Sequence, residues 1–201
     1  MIVNKPVHYR SCRRRKGESE GPKFDITPYK NLTENFNLLD IGFGDGESIV
    51  NLKKQNKINI FGVDDYHIGF NKLMDIKYKK NMNNVFLIRG DIVEIIDTFP
   101  DKFFNKVHIF FPDPWPKKKH HKRRFLNEYF LEKLKKKLKK NNLIHFTSDH
   151  MNFFLDTKKL ISKYINNDVE FFPNRSHRPI TKFEQKALDK KNMIFDMLFK
   201  L

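Results

Sequence analysis

The chain has 201 residues, with 40 lysines and arginines against 24 acids, a formal net charge of +16 and a pI near 9.8. That length suits one domain, and that charge points to a polyanionic partner, nucleic acid first. A lone cysteine, Cys12, excludes an internal disulfide framework and any multi-cysteine metal site, and no apolar run nears the ~18 residues that span a bilayer, so a cytoplasmic protein without membrane attachment is expected.

Residues 1–35 are polar and include Arg13, Arg14 and Arg15, and they read as a flexible basic arm ahead of one domain over 36–201. A merely solvated charged surface explains that run equally well. The first element is a short apolar strand, Asn37 to Ile41, running into Gly42-Phe43-Gly44-Asp45-Gly46 and the start of a helix. Position 47, where a dinucleotide fingerprint has its third glycine, is Glu, and Asp40 and Asp45 make the turn acidic. An acidic glycine turn repels phosphate and suits a cationic, phosphate-free cofactor such as S-adenosylmethionine.

A second strand, Ile58 to Asp64, ends in an acid 18 residues beyond Gly46, close to the ~20 at which βαβ nucleoside sites place their ribose ligand. A helix through Ile68, Leu73 and Ile76 to Lys80 follows. The third strand, Val85 to Arg89, leads to Asp91, an acceptor for an adenine amine, and to Ile92, a cover for the ring. The fourth runs from Val107 into Phe111-Pro112-Asp113-Pro114-Trp115-Pro116-Lys117 and a block of cations ending at Arg124. The prolines restrict the backbone around Asp113, and a rigid acid beside an indole, followed by cations, reads as a nucleobase site with a phosphate-binding lip. Each of these acids taken singly is as readily a helix cap. Asp40, Asp64, Asp91 and Asp113, at the ends of parallel strands, would share one rim.

Helical spacing over Phe125 to Lys140 predicts a helix broken by Asn141-Asn142. A fifth strand, Leu143 to Asp149, a helix from Met151 to Ile165, and strands at Val169–Phe172 and Met193–Phe199 complete a mostly parallel sheet with an antiparallel C-terminal strand. Arg175 to Glu184 is expected as a loop returning over the rim. The histidines show no metal-ligand spacing, so no metal is expected.

Three stretches together resemble the TrmB family of tRNA (guanine-N7-)-methyltransferases over roughly residues 36–184. They are Leu39 to Gly46, Phe110 to Arg124, and Arg178-Pro179-Ile180-Thr181-Lys182-Phe183-Glu184. The resemblance implies an α/β, Rossmann-like class I methyltransferase that carries a methyl group from S-adenosylmethionine to N7 of guanosine 46 in the tRNA variable loop. It implies cofactor binding by Asp40, Gly42, Gly44, Gly46, Asp64, Asp91, Ile92 and Asp113, with Asp113 also catalytic. Lys117, Asp149, Thr181, Lys182, Phe183 and Glu184 would meet the tRNA, and the chain would act as a monomer or weak homodimer. The family's glycine- and arginine-containing segment after its closing motif is replaced here by Lys186 to Asn192. Two other readings fit the same residues: a base amino-methyltransferase on nucleic acid, and a non-catalytic RNA-binding protein that keeps the fold.

Overall fold

A computed structural model describes residues 5–6, 25–52, 58–165, 170–172 and 178–201. Among them, β1 (Phe36–Ile41), β2 (Ile58–Asp64), β3 (Val85–Arg89), β4 (Phe104–Phe110) and β5 (Leu138–Ser148) pair in parallel. Strand β7 (Phe195–Phe199) runs antiparallel between β5 and β6 (Glu170–Phe172), giving the order β3-β2-β1-β4-β5-β7-β6. The order reverses between β1 and β4, and ligands of open α/β sheets bind outside the carboxyl ends of the strands at such a switch point.

Both faces of the sheet are covered, as parallel strands require. Within β1, Leu39 and Ile41 face one core while Leu38 faces the other. The larger core is dense in phenylalanine: Phe61 stacks on Phe86 at 4.8 Å and meets Phe99, Phe103 and Phe104 edge-on. Such ring pairs add roughly 0.5–1.5 kcal/mol each beyond area burial. The smaller core sets Ile49 of α1 (Glu47–Leu52) and Leu73 of α2 (His67–Lys79) against Leu38, Ile60 and Val85.

Two expectations change. Residues 25–35 are not part of a loose arm: Ile26 is buried, a 3-10 turn spans Thr27–Leu32, and Tyr29 packs on Phe86 at 4.7 Å. Apolar burial therefore draws this segment onto the domain, while Arg13, Arg14 and Arg15 lie outside the described residues. The second concerns α4 (Glu128–Lys137), which starts at an Asn127 cap and ends three residues before the expected Lys140. Leu138 is already extended and pairs with Phe104, and Asn141 and Asn142 lie inside β5 rather than breaking a helix. Leu138 completes the helical apolar spacing, yet its burial is met equally well by strand pairing, and the sheet wins.

Candidate active site at the carboxyl edge of the sheet

The glycine turn forms the floor. Gly42, Gly44 and Gly46 all have positive φ, at +75°, +55° and +81°. A Cβ on Gly42 would meet nothing within 4 Å, so the backbone there faces open space into which a ligand can settle. At Gly46 a Cβ would stand 2.5 Å from Leu73, so that glycine serves packing of the turn on α2.

Above the floor lies a cleft walled by Asp40, Gly42, Phe43, Asp45, Glu47, Ser48, Tyr66, Phe110, Phe111, Thr181, Lys182, Phe183 and Lys186. Asp40 is 1% exposed and accepts a hydrogen bond from the Ser48 hydroxyl at 2.6 Å. Burial pushes its carboxyl up to about 7, against the Ser48 hydrogen bond and with some help from the negative charge of Asp64. Asp64 sits at the end of β2, where its Oδ2 accepts from the Gly44 N–H at 2.7 Å and its Oδ1 from the Tyr66 N–H at 2.8 Å. Burial raises Asp64 too, opposed by those two N–H groups. An acidic wall of Asp40, Asp45 and Glu47, with Lys182 drawn onto the last two, faces an open glycine backbone and aromatic rings and fits a cationic nucleoside. S-adenosylmethionine carries a sulfonium, an amine and an adenine.

Asp64 thus acts on the cleft through Gly44 and Tyr66, and it, Asp91 and Asp113 share the sheet edge without lining that cleft. Asp91 caps α3 (Ile92–Ile95), accepting from Val93 N–H at 2.9 Å, and Ile92 is buried in the larger core. Asp113 is exposed between its prolines, and partial withdrawal from water still raises its carboxyl above the usual range. Its flanks are strained: Phe111 has φ +50° and Trp115 φ +43°, left-handed values that bulky residues avoid. Lys117 opens a 3-10 turn over Lys118–Arg123, whose cations are mostly exposed, and Arg123 lies 5.0 Å over the Trp115 ring. Asp149, just past β5, accepts from the Asn192 amide at 3.0 Å.

The expected closing loop is partly helix. Thr181 caps α6 (Lys182–Asp189), its hydroxyl accepting from Glu184 N–H at 3.2 Å. Lys182 bonds Asp45 at 3.0 Å, the Glu47 carboxylate accepts the Lys182 backbone N–H, and the Phe183 ring comes within 3.3 Å of where a Gly44 Cβ would stand. The helix thus closes over the glycine turn. Glu184 was expected at the substrate, but it is 0% exposed and turned inward to Arg178, because a carboxylate so buried needs its cation. Arg175 lies outside the described residues. Sequence reasoning missed Glu47 as a cap for α6, and its placement where a third glycine was absent was the available clue. Also missed was Asp196, a fully buried acid on β7. Among the described residues, no group of three or more His, Cys, Asp or Glu could hold a metal ion, and no helix is long and apolar enough to cross a membrane.

A family model described as "Putative methyltransferase" matches residues 34–197. In overall fold the chain resembles an antibiotic-related methyltransferase (TM-score 0.63, 16% identity, covering 90% of this chain and 97% of that one). It also resembles precorrin-6y C5,15-methyltransferase from Geobacter metallireducens (TM-score 0.58, 16% identity, 83% and 80%). With the acidic, glycine-floored cleft at the switch point, this defines a Rossmann-like methyltransferase that uses S-adenosylmethionine. The chain is 40% identical over 172 residues to a tRNA (guanine-N(7)-)-methyltransferase of Buchnera aphidicola subsp. Schizaphis graminum, covering 82% of this chain and 72% of the relative. It is 32% identical to that of Colwellia psychrerythraea, covering 83% and 71%. The chain belongs to the tRNA (guanine-N(7)-)-methyltransferase family.

Proposed function

We propose that the chain methylates N7 of guanosine 46 in the tRNA variable loop, in the cytoplasm. The observation that carries this reading is the placement of Asp113 and the cation-rich Lys117–Arg123 turn beside an acidic cofactor cleft on one edge of the sheet. When bound, S-adenosylmethionine supplies an electrophilic methyl carbon on a sulfonium. Guanine N7 carries an in-plane lone pair and no proton, so the site would need no general base. Alignment is the main requirement, and holding two reactants in line accounts for ~7 kcal/mol or more of a barrier.

The residues then divide by task. Asp40 and Asp64 shape the cofactor wall, Asp113 accepts from donors on the guanine edge, Phe183 offers a stacking face at the lid, and Lys117 with its neighbours meets phosphate. Lys182 is tied to Asp45 and Glu47 in this structure, so its contribution is to hold the lid. The test is transfer of labelled methyl from S-adenosylmethionine to unmodified tRNA, followed by nucleoside analysis. N7-methylguanosine at position 46 is the expected product; label on an exocyclic amine would indicate a base amino-methyltransferase instead.

A further inference from the structure

Behind the lid lies a buried polar cluster that none of the cofactor or tRNA assignments uses. Its centre is Arg178, whose side chain is 3% exposed. One edge of the guanidinium grips Asp196 of β7, with Nε 2.9 Å from Oδ1 and Nη2 3.3 Å from Oδ2, and Nη1 donates to Glu184 of α6. Its Cζ lies 5.3 Å from the ring centres of both Phe110 and Phe111. Asp196 is 0% exposed and also accepts from His145 at 2.8 Å and Thr147 at 2.5 Å, both on β5. The Thr147 carbonyl in turn accepts the Phe111 N–H at 2.9 Å. One arginine thus joins the lid helix, the strand pair β5–β7, and the two residues that lead into the Asp113 turn.

We propose that Arg178 is a positioning residue. By gripping Asp196 and Glu184 while lying against Phe110 and Phe111, it fixes the lid helix and the Asp113 turn in one register, and the rate of methyl transfer depends on that register. Geometry supports this over a purely structural ion pair. Phe111 holds a left-handed backbone, φ +50°, which persists only where surroundings over-determine it. The Phe111 ring lies against Arg178, and its N–H bonds a strand residue that itself donates to Asp196. Planarity matters as much as charge: a lysine keeps the cation but has neither the fork that spans two carboxylates nor the face that lies on two rings. Positions 178 and 184 thereby act through their neighbours rather than on the substrate. This inference rests on the methyltransferase reading above.

The chain offers its own reporter, since Trp115 is its only tryptophan and stands two residues past Asp113. The experiment compares wild type, Arg178→Lys and Glu184→Gln by acrylamide quenching of Trp115, by far-UV circular dichroism, by tRNA affinity, and by kcat for labelled methyl transfer. With an unchanged far-UV spectrum, Arg178→Lys is expected to raise the quenching constant about twofold as the turn loosens. It is expected to lower kcat about tenfold or more, while tRNA affinity stays within about twofold. If Arg178→Lys does not fold, Glu184→Gln decides, because it leaves the Arg178–Asp196 pair intact and releases only the lid. Variants that melt earlier but keep wild-type quenching and kcat overturn the proposal. So does a loss confined to tRNA affinity. Quenching needs no turnover, so a wild type that makes no N7-methylguanosine defeats the activity reading and with it the dependence of rate on register, while the hold of Arg178 on the Asp113 turn is still decided by quenching. An active wild type with unmoved variants defeats this inference alone.

Discussion

The carboxylate of Asp64 accepts the backbone N–H of Gly44 at 2.7 Å, so the acid that ends β2 also fixes the glycine turn that follows β1. With its second bond to Tyr66 N–H at 2.8 Å, the side chain holds two loops of the cleft at once and keeps lone pairs for a ribose hydroxyl. Asp64→Ala leaves two backbone donors without their acceptor, each costing about 1–3 kcal/mol when buried. The expected result is weaker binding of S-adenosylhomocysteine by at least tenfold, measured calorimetrically, together with a lower melting temperature. Asp64→Asn, which retains one acceptor, is expected to fall between the two.

Asp40 makes stability depend on pH with a definite sign. Burial raises its carboxyl to about 7 in the folded chain, against about 3.9 in an unfolded one. The folded state therefore binds that proton more tightly, and the group's contribution is most favourable below about pH 4 and is lost as pH rises through about 7. Over that window the difference is on the order of 4 kcal/mol. Asp40→Asn removes it: without cofactor, the variant should gain stability over wild type as pH rises from 4 to 7 and hold that gain above. A cation bound beside Asp40 favours the ionised form, so wild-type affinity for S-adenosylmethionine should rise with pH over the same interval, with a flatter profile in the variant. Denaturant melts and titration calorimetry across pH check both halves.

Asp113 is exposed and contributes little to the core, so Asp113→Ala should fold and melt like wild type. Loss of its acceptor at the reacting base should lower kcat by about a hundredfold. Steady-state methyl transfer with tRNA and S-adenosylmethionine saturating measures it, and retained turnover would remove Asp113 from the reaction.

In the turn from Lys117 to Arg123, Lys117, Lys118, Lys119 and Lys122 are exposed to solvent. Replacing Lys117 with Ala should weaken tRNA binding across all tRNAs alike and reduce the slope of log affinity against log salt by roughly 0.7–0.9, the change expected for one lost phosphate contact. Filter binding at several salt concentrations reads the slope directly.

Gly46→Ala tests the floor of the site. The position has φ +81°, and the new methyl would stand 2.5 Å from Leu73, itself 0% exposed. Backbone strain and overpacking add to an expected loss of about 2–4 kcal/mol in urea unfolding.

Much of this architecture was legible in the sequence because it is local. Asp40, Asp64, Asp91 and Asp113 each follow or close an apolar strand, and five parallel strands bring such positions to one edge whatever the loops between them do. Pairings between distant positions were not legible. Nothing local says that Glu47 will accept a hydrogen bond from position 182, that Tyr29 will pack on Phe86, or that Asp196 will gather Arg178, His145 and Thr147. Glu184 illustrates the limit: an acid in a closing motif reads as a ligand contact, and only the tertiary structure shows it turned inward to a buried arginine.

The insertion of β7 between β5 and β6 imposes an order on synthesis. Strand β6 leaves the ribosome ahead of β7, its only strand partner among the described residues, and the outer edge of β5 stays unpaired for longer, from the completion of Ser148 until Phe195 is made. Five parallel strands can assemble on the nascent chain before Asp196, the carboxylate that grips Arg178, has been made. A ribosome that stalls short of β7 therefore leaves an open strand edge, a template for aggregation that chaperones must cover.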